Sequence, residues 1–108
     1  MVSRLLFFQL VLDSIDLYCH LLRGDEATFD RCVVHLLSLL VSRFPRVRKM
    51  TATQLYETLL TLTDVADRLA AHQDDILCLL SDTDWDEDVE KLKPVRDQLK
   101  RLFQPPTD

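Results

Sequence analysis

Apolar residues recur at steps of three and four along most of the chain, which is the period of an α-helix and not of a strand. Five helical segments follow from it. The first covers residues 3–22, with Leu5, Phe8, Leu12, Ile15, Cys19 and Leu22 on one stripe. Leu6, Leu10, Leu17 and Leu21 make a second stripe, so this helix is apolar on two sides and calls for neighbours on both. Arg23-Gly24-Asp25 closes it, with the chain's single glycine at a C′ position. The second covers residues 26–44, with Phe29, Val33, Leu36 and Leu40 on one face and Val34, Leu37 and Val41 beside it. Pro45 breaks that run and suits the first turn of a third helix, which carries Val47, Thr51, Leu55, Leu59 and Leu62 and fades near Thr63-Asp64.

A fourth helix covers residues 67–81 through Leu69, Ile76, Leu77 and Leu80, although Leu62, Val65, Ala66 and Leu69 equally allow the third and fourth to be one. The fifth starts at Thr83, whose hydroxyl would cap the exposed amides while nearby acids face the positive end of the dipole. Its apolar face is Trp85, Val89, Leu92, Leu99 and Leu102. Lys100 and Arg101 close it, and Pro94 predicts a kink or a split into two pieces. Residues 1–103 form one helical domain, and 104–108 are a frayed tail.

Composition narrows the fold further. Leucine, at 22 residues, is twice as frequent as valine and isoleucine together, a bias that favours helices over pleated strands. One glycine cannot furnish repeated positive-φ turns or a glycine-rich phosphate cradle. The fold class is therefore all-α, with about five antiparallel helices arranged as a bundle or a stack. Pro45-Arg46-Val47-Arg48, followed by Thr51 and Leu55 at +4 and +8 from Val47, favours the stack. It resembles the opening of the second helix of a HEAT repeat, where helix pairs pile into a solenoid.

Catalysis needs converging groups, and the chain has no nucleophile elbow, no H-E-x-x-H, no phosphate-binding loop and no C-x-x-C pair. It is read as a non-enzyme without a cofactor. Cys32 and His35 share a helix face and Cys19-His20 precede them, but four ligands at zinc spacing are lacking; buried thiols are the plain reading. Asp82, Asp84, Asp86 and Asp88 alternate like the first ligands of an EF-hand loop. However, the sixth position is Glu87 instead of glycine and the twelfth is Lys93 instead of glutamate. An acid-rich helix start accounts for them. Arg23-Gly24-Asp25 also spells an adhesion motif, here read as a coincidence of a helix–helix turn.

Three cysteines at no motif spacing read as reduced thiols of a cytoplasmic protein. The longest uncharged run, residues 32–42, is far shorter than a membrane span. Residues 5–12 have the apolarity of a signal-peptide core, but Asp13 and Asp16 follow at once and no cleavage site does. Charge is uneven: residues 1–50 hold seven cations and five acids, residues 51–108 six and thirteen. Arg43, Arg46, Arg48 and Lys49 cluster around Pro45. Two readings stand for them, an acidic partner surface or a solvated turn with Arg48 or Lys49 paired internally. Nucleic acid is disfavoured by the overall acidity and by the lack of stacking aromatics beyond Phe44.

Arg43-Phe44-Pro45, Arg48-Lys49, Thr51-Ala52, Gln54 and Tyr56-Glu57-Thr58-Leu59-Leu60-Thr61 form a specific block. With Ser81-Asp82-Thr83, Trp85-Asp86 and the Arg96, Leu99, Leu102 run, it resembles the C-terminal segment of the tubulin-folding cofactor D family (tubulin-specific chaperone D). The likeness is strong over residues 34–102 and weaker over 5–31. Pro94 and residues 65–73 depart from the family pattern. The resemblance implies a piece of a longer HEAT/armadillo-type solenoid in the cytoplasm, cytoskeleton or centrosome. It also implies β-tubulin as a partner, in an assembly with cofactors C and E and an Arf-like small GTPase that promotes αβ-tubulin assembly and stimulates GTP hydrolysis by tubulin. The family offers no short tubulin-contact motif to place on this sequence. Arg43, Arg46, Arg48 and Lys49 are therefore expected, on charge alone, to face the acidic partner. The two-sided first helix predicts self-association through residues 5–22.

Overall fold

In the computed structural model, residues 4–61 and 72–103 are described. The described residues form five helices: α1 (Arg4–Leu21), α2 (Glu26–Leu39), α3 (Pro45–Thr61), α4 (Gln73–Asp82) and α5 (Val89–Phe103). No strand occurs among the described residues. The class is all-α. The expected junction between the third and fourth helices, and the tail 104–108, lie outside the described residues.

Helix α3 packs between α1 and α4, while α2 packs on α1, α3 and α5, and α5 closes against α4. The result is two layers, α1–α3–α4 over α2–α5. Their shared core holds Ile15, Leu22, Leu36, Leu40, Leu55, Ile76, Leu92 and Leu99, each essentially without solvent exposure. Phe29 of α2 meets Phe103 of α5 with ring centroids 6.3 Å apart, which fastens the second layer. The inward residues expected from the Pro45–Leu55 pattern, Val47, Thr51 and Leu55, are all buried. Thr51 satisfies its hydroxyl on the Val47 carbonyl at 2.7 Å, so its burial leaves no polar group unpaired.

Several expectations need correction. Helix α2 stops at Leu39, not at Phe44, because residues 40–44 tighten into a turn in which Val41 N–H donates to Ser38 and Ser42 N–H to Leu39. Gly24 does not adopt a positive φ. A Cβ there would stand 3.2 Å from the Leu21 carbonyl and 3.3 Å from the Thr28 methyl, so close approach is what suits glycine to this turn. Thr83 caps the end of α4 and does not open α5. The last helix begins at Val89, and Asp88 supplies the cap: its carboxylate accepts from Glu90 N–H at 3.3 Å, and its carbonyl from Lys91 and Leu92. Pro94 does not split α5, which runs unbroken to Phe103 although the proline cannot donate to the Glu90 carbonyl.

The two apolar stripes of the first helix fare differently. Leu12 is half-buried and Ile15, Cys19 and Leu22 are buried, so the inward stripe is seated. The second stripe is largely open to solvent. Leu6, Leu10, Leu17 and Leu21 are 40–57% exposed, which leaves α1 with an exposed apolar face.

Candidate protein-binding edge at the start of the third helix

The turn between α2 and α3 is built before its charges matter. Ser42 Oγ accepts from Phe44 N–H at 3.2 Å and Arg48 N–H donates to the Phe44 carbonyl at 3.2 Å. Pro45, with no N–H to lose, opens α3. Phe44 is wedged between two partners. Its ring meets Phe7 of α1 edge-on at 5.6 Å, and the Arg43 guanidinium lies 4.8 Å from its centroid.

The four cations expected to act together are separated by this fold. Arg48 is 3% exposed and points inward. Its Nε donates to the Trp85 carbonyl at 2.7 Å, one terminal nitrogen to the Ser42 carbonyl at 2.6 Å and the other to the Glu87 carbonyl at 3.2 Å. A buried guanidinium needs such acceptors, because desolvating an unpaired charge costs several kcal/mol or more. Trp85 in turn donates its indole N–H to the Leu80 carbonyl at 2.9 Å. Arg48 and Trp85 thus tie the start of α3, the end of α4 and the loop 83–88 into one hydrogen-bonded unit. Lys49 is about half exposed and pairs with Asp86 at 2.6 Å. An exposed pair of this kind contributes little to stability but fixes where the lysine sits. Arg43 and Arg46 are exposed at the turn and the first turn of α3.

Beyond Lys49 the edge continues into a groove of about 410 Å³ between α3 and α4, floored by Ala52, Leu80 and Trp85 and flanked by Thr53, Tyr56 and Glu57. None of the groove's lining except Lys49 was singled out as a binding residue from sequence. The signal was there: Lys49, Thr53 and Tyr56 return at steps of four and three, and small Ala52 and Ser81 lower the groove where the helices meet. An apolar floor with Lys49 towards one end and Glu57 two turns along α3 from it can hold a peptide segment in one direction.

The remaining candidates have structural uses. Cys19 and Cys32 are buried, and burial pushes both thiols up from their ordinary value. His35 stacks on Tyr18 with centroids 4.9 Å apart. Asp84 accepts from Asp86 N–H at 3.0 Å, so the alternating acids shape the loop. Asp25 N-caps α2 through Thr28 N–H at 2.8 Å. That bond holds its carboxyl below the usual carboxylate range. Among the described residues, no group of three or more His, Cys, Asp and Glu side chains is placed to hold a metal ion. No helix among them is long and apolar enough to cross a membrane.

No protein-family model matches the chain, and no solved structure matches it.

Proposed function

We propose that this chain is a non-catalytic, HEAT/armadillo-like segment of a tubulin-folding chaperone, which binds β-tubulin and supports assembly of the αβ heterodimer. The observation that carries the reading is the unit formed by residues 43–61. The block that resembles cofactor D coincides with the turn and helix that carry Arg43 and Arg46, and with one wall of the groove at Lys49, Ala52, Thr53 and Tyr56. The role of the cations is divided accordingly. Arg43 and Arg46 meet acidic tubulin surface, Lys49 marks the mouth of the groove, and Arg48 holds the edge in shape from within. A surface of this kind binds through area and charge and needs no reacting group. Cofactors C and E and an Arf-like small GTPase would be its companions, and any stimulation of GTP hydrolysis would belong to that assembly.

The second reading is a helical interaction module with no tubulin link, favoured by the solvent-exposed leucines of α1. Affinity capture with purified components separates the two. The full chain immobilised on beads retains β-tubulin in the first case. Absence of β-tubulin at micromolar concentration in low salt leaves the second.

A further inference from the structure

The outward face of α1 is not only apolar; it carries its own charge. Leu17 is 57% exposed, and Asp13 and Asp16, four and one residues before it, are exposed beside it. Helical spacing keeps Asp13 and Leu17 one turn apart on the same side. On the opposite layer, one turn of α2 and one turn of α5 enclose a groove of about 290 Å³. Its apolar lining is Val34 and Leu37, and its rim is Arg96, Asp97 and Lys100. Val34 is an exposed valine, 60% open, on a helix whose other large apolar residues are buried or half-buried. The groove lies just below the usual size range of small-molecule pockets, and its one-turn length suits a protruding side chain.

We infer that two copies of this chain associate head to tail, with Leu17 of one copy seated in the Val34 groove of the next and Asp13 and Asp16 facing Arg96 and Lys100. Charge selects this arrangement over pairing of α1 with α1. Two antiparallel α1 helices, related by a two-fold axis midway between Asp13 and Ser14, would oppose Leu6 to Leu21 and Leu10 to Leu17. They would also bring Asp13 and Asp16 of both copies to the same flank, where like charges repel. In the groove, the same two acids meet two cations. Asp97 accepts from Arg96 at 2.8 Å, so Lys100 carries the larger share of the attraction. A contact of this size is weak, below the standard interface area. Being heterologous, it does not close after two copies.

Sedimentation velocity of the full chain, from micromolar to millimolar concentration, tests this with Leu17→Glu, Val34→Glu and their equimolar mixture. Both positions are exposed, and circular dichroism checks that each variant stays folded. The wild type is expected to grow past the dimer with concentration and to grow less as salt rises. Each variant alone is expected to remain monomeric. The mixture is expected to stop at a one-to-one dimer, since one variant keeps the intact Leu17 and the other the intact groove. A wild type that remains monomeric, a Val34→Glu chain that associates as strongly as the wild type, or a mixture that stays monomeric would each overturn the inference.

Discussion

Arg48 and Trp85 stand 37 residues apart in the chain, and the guanidinium of the first donates to the main-chain carbonyl of the second at 2.7 Å. The contact is buried and is one of three that Arg48 makes to backbone carbonyls. A charge in the middle of the basic cluster is therefore a structural pin. The loop 83–88 has no regular ladder of its own, and this pin, with the Trp85 indole on Leu80, gives it one conformation.

Arg48→Met is expected to lower unfolding free energy by about 3 kcal/mol, since two or three carbonyls lose their donor at a cost of about 1–3 kcal/mol for a fully buried one. Arg48→Lys should recover only part of this, because one ammonium cannot reach three diverging acceptors as a planar fork does. Urea unfolding followed by Trp85 fluorescence measures both. Equal midpoints for wild type and Arg48→Met would show that the bonds contribute nothing net.

Pro94→Ala should stabilise the chain by about 1–3 kcal/mol, because alanine restores a donor to the Glu90 carbonyl inside an otherwise regular helix and removes the ring's clash with it. Pro94 is exposed, so no packing is lost. Thermal unfolding reads the gain as a higher Tm, and an unchanged or lower Tm would contradict it.

Leucines on the two sides of the fold should behave differently. Leu40→Ala removes a fully buried side chain and should cost about 2–5 kcal/mol. Leu17→Ala, at an exposed position, should change monomer stability by no more than about 0.5 kcal/mol. Dilute-solution urea midpoints compare them.

Thiol chemistry divides the cysteines the same way. Cys78 is exposed, whereas Cys19 and Cys32 are buried with their pKa raised, and the thiolate is the reactive form. A thiol-specific chromogenic reagent at pH 8 should label one cysteine quickly and the other two only on unfolding. At alkaline pH the unfolded thiols ionise first, so the stability contributed by these two buried thiols falls as pH rises past their ordinary value of 9.0.

The Asp25 cap gives an acid-side signature. Its folded pKa lies below the ordinary 3.8 because it accepts from Thr28 N–H. Its contribution is therefore complete above that value and fades as pH falls through the lower, folded one. Asp25→Asn keeps an acceptor at the cap and should flatten this limb of the stability–pH curve; an identical limb in both proteins would contradict the assignment.

Much of this fold is legible in the sequence because helical periodicity is local: the inward stripes of α1 and α3, the break at Pro45 and the turn at Arg23-Gly24-Asp25 follow from spacing alone. The end of α2 is hidden because apolar residues continue through Val41 and Phe44 after the helix has stopped. Thr83 and Asp88 both offer a capping oxygen, and only the docking of Trp85 decides that the acids between them form a loop. Burial of Arg48 depends on carbonyls 37 and 39 residues away. Its membership of the Arg48, Ala52, Leu55, Leu59 stripe, at steps of four, three and four, was the available sign.

The functional proposal rests on charge at Arg43 and Arg46, and fluorescence anisotropy of labelled β-tubulin titrated with the full chain at two salt concentrations tests it most directly. Binding is expected to saturate, to weaken as salt rises, and to weaken by about 5- to 10-fold in Arg43→Glu/Arg46→Glu, the equivalent of about 1–1.4 kcal/mol. No saturable binding to β-tubulin, or an affinity that neither salt nor the double charge reversal changes, would contradict it.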